Sequence, residues 1–296
     1  MKCFYHNDED GKCSGFWVAF NARINDTDLY DDIPQFIEID YRIPFPMKTI
    51  RPNEQIYIVD FSISPDEMRE LLKITKNVTW IDHHKTAIEK YEDFEYQIRG
   101  VRYDGVAGCM LAYCYINHMT AKGEGEIKPF ELSMTNDAPR FTKLIADWDV
   151  WKFDYGDDTR FFQAAFNSLD FNPRSEEWLN FIHEDGYENK LIEEGKIIIR
   201  YRDCWGKNYM NLGFETEFEG HNCFAVNLGY CNSEYFKSLS EEKYDMLITF
   251  VFDGKIFKVI MYSETVDVSE IAKKYDGGGH KGASGFQVKE LPFSIK

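Results

Sequence analysis

Four stretches of this 296-residue chain hold side chains able to bind a metal or move a proton. They are His6-Asn7-Asp8-Glu9-Asp10-Gly11, Asp60, Asp82-His83-His84 and Ala146-Asp147-Trp148-Asp149. Carboxylates crowded into one cleft repel one another and raise their own pKa values unless a cation neutralises them, so a divalent metal is the simplest remedy. Imidazole and carboxylate donors without thiolate suit manganese or magnesium better than structural zinc. Two such ions ~4 Å apart are the usual device for activating water and stabilising an in-line phosphoryl displacement. Asp8 and Asp10 would face the same way in an extended loop, with Gly11 permitting a tight turn into the next helix. Taken singly, each candidate has a plainer explanation. A loop aspartate is commonly a solvated turn acid, Asp60 would serve as a helix cap, and a lone histidine is more often a satisfied surface or core residue than a ligand. Three strand-end positions together with an adjacent histidine pair favour the metal site. A fifth stretch, Asp276-Gly277-Gly278-Gly279-His280-Lys281-Gly282, strips away side chains so that backbone N–H groups can approach a phosphate. Standing alone, it is more often a flexible hairpin loop than a phosphate cradle.

The elements that must position these residues are legible in outline. Residues 2–5, 55–59 and 78–81 read as strands, and residues 14–24 as a helix with Phe16, Val18, Ala19 and Phe20 among its apolar positions. Ser64-Pro65-Asp66-Glu67 predicts an N-cap, a first-turn proline and a capping-box partner for a helix running to residue 74. Strands separated by helices imply a parallel sheet, and residues just past the carboxyl ends of such strands converge on one crevice. The fourth stretch ends an apolar run with no secondary structure assigned. Further on, residues 176–183 and 188–201 are helical in pattern. Residues 223–227, 246–252 and 255–262 are strand-like, the last two joined by Asp253-Gly254 as a two-residue hairpin, and a short helix follows Asp267. The expected fold is α/β: a parallel-sheet domain with helices on both faces over 1–165, a helical connector over 166–205 and a smaller α+β domain over 206–296.

Composition restricts what the site can act on. The 34 Lys and Arg against 51 Asp and Glu give a net charge of −17, which argues against a grip on long duplex nucleic acid or an anionic membrane. The longest apolar run, residues 110–116, is far too short to span a bilayer. Seven cysteines lack any C-x-x-C pair, and acids stand at 8–10 where a signal peptide needs apolar residues, so a cytoplasmic protein is expected.

The Asp82-His83-His84 tripeptide, the H-x-D-x-D-G loop, Asp60, Ala146-Asp147 and the distal Gly-Gly-Gly-His together resemble the DHH family of phosphoesterases carrying its associated C-terminal domain. The match keeps the family's order over nearly the whole chain. It implies two lobes, a dinuclear Mn²⁺ site with Mg²⁺ as the alternative, and hydrolysis of phosphodiester, phosphomonoester or phosphoanhydride bonds. Carried over, Asp60 bridges the metals, Asp8 binds one, and Asp10, His83 and Asp147 complete the other. Asp82 orients His83, and His84 faces the scissile phosphate as donor or acid. Gly277, Gly278, Gly279, His280 and Lys281 hold substrate. His6 is a further candidate ligand, two residues before Asp8 where family members place a histidine four before. Asp149 is read as structural, and Trp148 and Trp151 as core packing rather than base stacking. Tyr262 stands where nano-RNase-like members commonly carry a phosphate-binding arginine. The expected reaction releases nucleoside monophosphates from short oligonucleotides or dinucleotides. Cyclic dinucleotide hydrolysis, nucleoside bisphosphate dephosphorylation, a RecJ-like single-strand exonuclease and a non-catalytic nucleotide-binding protein stand behind it. A homodimer is compatible with the sequence.

Overall fold

Short, almost wholly apolar runs such as Ile56-Tyr57-Ile58-Val59 belong in a sheet covered on both faces, and that is where they lie. The computed structural model describes residues 1–25, 33–119, 129–229, 231–237, 239 and 243–293. In chain order its elements are β1 (Lys2–His6), α1 (Glu9–Asn25), β2 (Gln35–Ile39), β3 (Ile56–Val59), α2 (Pro65–Ile74), β4 (Val78–Ile81), α3 (Lys85–Glu89), α4 (Gly108–Cys114), α5 (Arg140–Asp149), α6 (Asp157–Phe166), α7 (Trp178–His183) and α8 (Tyr187–Met210). Then follow β5 (Phe214–Phe218), β6 (His221–Asn227), β7 (Met246–Phe252), β8 (Phe257–Tyr262), α9 (Val268–Lys273), β9 (Gly278–His280) and β10 (Ala283–Val288). The chain divides into two compact units, Met1–Lys196 and Ile197–Lys296.

In the first unit the described strands form a parallel sheet in the order β2-β1-β3-β4. Every residue of β3 and β4 is buried, and Phe4, Ile58 and Trp80 pack with Met68 and Leu71 of α2. Each such side chain contributes about 1.5–3 kcal/mol by leaving water. Helix α2 begins as expected: Ser64 Oγ accepts from Glu67 N at 3.3 Å, while Glu67 Oε2 accepts from Ser64 N at 2.9 Å.

Helix α1 starts at Glu9 rather than near residue 14, so Asp10 lies in its first turn and not in an extended loop. Acids there suit the positive end of the helix dipole. Gly11 serves close packing as well, since a Cβ on it would fall 2.2 Å from His6 O. Strand β2, unforeseen, sits at the sheet edge with a mostly exposed or half-buried pattern that weakens its apolar signal. The fourth stretch proves to be the carboxyl end of a helix, α5.

The second unit is a mixed sheet in the order β5-β6-β7-β8-β10-β9, where β6 and β7 run parallel and the other pairs antiparallel. Helix α9 packs Ile271 against Ile248, Met261 and Phe286. The β7–β8 connection is four residues long, not two, because Phe252 pairs with Phe257. Asp253 Oδ1 holds the longer turn by accepting from Lys255 N at 3.0 Å and Ile256 N at 3.1 Å.

Candidate metal centre

Each parallel strand delivers its acids at its carboxyl end. Strand β1 ends at His6 with Asp8 just beyond, β3 runs straight into Asp60, and β4 into Asp82. Asp60 N donates to Ile81 O at 2.9 Å, and Asp60 adopts φ +52°, a left-handed conformation that is uncommon for a residue with a Cβ. That turn accompanies a side chain whose two oxygens face different partners. Asp60 Oδ1 lies 3.2 Å from His83 Nε2, and Oδ2 lies 3.7 Å from His6 Nδ1. His6 Nδ1 is 2.5 Å from Asp8 Oδ2, and Asp8 Oδ1 accepts from Gly11 N at 2.9 Å.

Asp10 is held from the opposite side. Its Oδ2 accepts from Gly108 N at 2.7 Å and its Oδ1 from Cys109 N at 2.8 Å, both at the start of α4. Gly108 admits this approach because a Cβ there would lie 2.8 Å from Asp60 Cβ and 2.9 Å from Asp10 Oδ2. These backbone donors leave no side-chain signature, and sequence reading missed them.

Three residues sit differently from expectation. Asp147 points away from the cluster. Its Oδ1 accepts from Asp154 N at 2.8 Å, and its Oδ2 from Tyr155 N at 3.3 Å and from the Thr159 hydroxyl. The carboxylate that reaches the histidine is Asp149, with Oδ2 3.4 Å from His83 Nε2, while Asp10 Oδ2 stands 3.7 Å from the same nitrogen. Asp82, expected to orient His83, touches only that residue's amide, at 2.8 Å, and places the same Oδ1 2.7 Å from His84 Nδ1.

Among the described residues, three triads bring one donor atom each within 4.8 Å of one another: His6, Asp8 and Asp60; Asp60, His83 and His84; and Asp10, His83 and Asp149. Asp60 belongs to two of them and His83 to two. Burial first, then Asp10, Asp8 and Asp149, push the Asp60 carboxyl well above its ordinary value. Burial, Asp10 and Asp8 do the same to Asp149. Burial would also raise Asp8, but His6 and the Gly11 amide outweigh it and hold that carboxyl below its usual range. For His84, burial favours the neutral ring, yet the contact with Asp82 prevails and raises its pKa. Both oxygens of Asp60 and Oδ2 of Asp149 are buried without a hydrogen-bond partner. Buried anionic oxygens without donors are costly, and a mixed carboxylate and imidazole set open to one another fits divalent cations.

In the second unit, Gly278 to His280 form the exposed edge strand β9 against β10. A Cβ on Gly277 would meet Gly285 O at 2.2 Å and one on Gly279 would meet Ala283 O at 2.6 Å, so packing alone requires both. Gly278 has open space around it, and His280 and Lys281 are exposed. Tyr262 is buried and donates its hydroxyl to Cys231 O at 2.6 Å.

No family model matches the chain. It is 26% identical to the oligoribonuclease NrnB of Bacillus subtilis over 99% of its own length and 74% of that protein. It is 25% identical to the uncharacterized protein R106 of Acanthamoeba polyphaga mimivirus, over 95% of its own length and 65% of the relative. The fold is similar to that of PggH, a pGpG-specific phosphodiesterase from Vibrio cholerae, with a TM-score of 0.52 at 12% identity, covering 97% of this chain and 93% of that one. The ordered motifs, the fold that brings the acids of three strand ends together and the similarity to NrnB along nearly the whole sequence all agree with the resemblance to the DHH phosphoesterases.

Proposed function

We propose that the protein is a metal-dependent phosphodiesterase that cleaves short oligonucleotides or dinucleotides to nucleoside monophosphates. The observation that carries this reading is Asp60, whose two unpartnered oxygens face the His6–Asp8 side and the His83 side of one cluster. The name of the NrnB relative supports the substrate class. The ligands proposed are His6, Asp8 and Asp60 for one ion and Asp60, Asp10, His83 and Asp149 for the other, with Mn²⁺ as the metal and Mg²⁺ as the alternative. When bound, the ions would supply water activation and charge neutralisation at the phosphate. Asp82 commits Nδ1 of His84, leaving Nε2 as the nitrogen that meets substrate. A proton carried on that nitrogen would be donated to a phosphate oxygen or to the leaving oxygen. Gly278, His280 and Lys281 are proposed to contact substrate phosphate, and a cytoplasmic location, resting on the cysteine pattern, belongs to the same proposal.

The test is a panel of linear dinucleotides, cyclic dinucleotides, nucleoside bisphosphates and polyphosphate, each with Mn²⁺ and with excess chelator. Rapid release of monophosphates from linear dinucleotides, abolished by chelator, is expected. Undiminished activity in chelator would overturn the metal mechanism, and preference for a cyclic dinucleotide or bisphosphate would reassign the substrate.

A further inference from the structure

Two exposed aromatic side chains belong to segments that carry the candidate ligands, one against the ring of His6 and one just past Asp149 in the chain. Tyr41 is 56% exposed, its ring stacked on buried Phe61 at 4.3 Å and 5.7 Å from the ring of His6. Trp151 is 51% exposed and lies two residues beyond Asp149. Its ring is backed edge-on by Trp148 and by Phe153, each at 4.8 Å, and Arg160 lies 3.9 Å over the Phe153 ring. Large aromatic side chains held open on firm aromatic backing, beside a site that takes phosphate, need a reason.

The backbone around Trp151 sharpens the point. Trp151 has φ +56° and Phe153 φ +59°, left-handed conformations that bulky residues adopt only where the surroundings enforce them. The enforcement is visible. Lys152 N donates to Asp147 O at 3.1 Å, Asp154 N to Asp147 Oδ1 at 2.8 Å, and the Lys152 ammonium to Gly105 O at 3.2 Å. Asp147 is therefore a positioning residue, fixing the loop after α5 that presents Trp151.

We infer that Tyr41 and Trp151 are stacking platforms for the two nucleobases flanking the scissile phosphodiester, an inference that rests on the phosphodiesterase reading. Every base offers a π-face, so such platforms hold short oligonucleotides without reading their sequence. A dinucleotide is then the smallest substrate to engage both rings, and additional nucleotides gain nothing from them.

The experiment compares kcat/KM on a dinucleotide with kcat/KM on two analogues, each lacking one of its bases, for the wild type, Trp151→Ala, Trp151→Gly, Tyr41→Ala and Tyr41→Phe. Glycine takes the Trp151 backbone conformation without strain, so a loss shared by both Trp151 variants does not come from the left-handed backbone at that position. Removing either ring should lower dinucleotide efficiency about 5- to 150-fold. The loss from Trp151 should vanish on one analogue and that from Tyr41 on the other, with Tyr41→Phe near wild type and the Mn²⁺-induced rise in Tm unchanged throughout. Variants that match the wild type on the dinucleotide, or lose equally on all three substrates, overturn the platforms while leaving the phosphodiesterase reading intact. A wild type inactive on dinucleotides with Mn²⁺ would overturn that reading, and the platforms with it.

Discussion

In the proposed mechanism Asp60 is worth most to the chemistry and least to the stability of the metal-free chain, because it is a buried carboxylate set among Asp8, Asp10 and Asp149 without a donor. Asp60→Asn should abolish turnover and the Mn²⁺-induced rise in Tm, yet raise the Tm of the metal-free protein by removing one of the mutually repelling charges. Calorimetry with and without Mn²⁺ checks both signs, and a metal-free Tm that falls would contradict the electrostatic account. Asp147 and Asp149 should separate in the opposite sense. Asp149→Asn should weaken metal binding at little cost in stability, whereas Asp147→Ala strands the Asp154 and Tyr155 amides and the Thr159 hydroxyl, costing about 1–3 kcal/mol. Denaturant unfolding beside Mn²⁺ titration resolves the pair. This is also where sequence reading ran out. Asp8, Asp60 and His83 were legible because a strand end fixes where they emerge, but residues two apart on a helix point about 200° away from each other. Only one of Asp147 and Asp149 can face the cluster, and the rotation of α5 that decides which depends on packing that no local pattern records.

Helix α4 acts on the site through its backbone rather than its side chains. Gly108→Ala would drive a methyl group against Asp60 Cβ and Asp10 Oδ2, so it should cut kcat/KM at least about 100-fold through a shift of around an ångström in those carboxylates. Far-ultraviolet circular dichroism should be unchanged, and wild-type turnover by this variant would mean that α4 does not set the ligand geometry. Elements announced by their own residues, such as α2 with its Ser64 cap and β4 with its unbroken apolar run, were legible to within a residue. Those made by contacts with the rest of the unit were not. Strand β2 owes its place to pairing with β1, and the early start of α1 to the packing of Gly11 against His6. The four-residue β7–β8 turn depends on Asp253 bonding back to two amides, an option that the Asp-Gly pair alone does not announce.

At the scale of the whole molecule, a net charge of −17 opposes any long polyanion. Each nucleotide beyond those in contact with the site should add repulsion or nothing, so kcat/KM should peak at roughly two to five nucleotides and show little of the steep salt dependence of a phosphate track. Measuring it from dinucleotides up to lengths of about 30 at two salt concentrations is decisive, since a groove that follows a single strand would show rates climbing with length and collapsing in salt. The unsatisfied oxygens of Asp60 and Asp149 carry a further consequence. Ions bound by these oxygens, as proposed, would also favour the folded chain over the unfolded one, so metal supply would govern how much of the protein survives and not only how fast it works. With metal scarce, a metal-free form would open more often to proteases, and cellular abundance should fall with the metal even at constant synthesis.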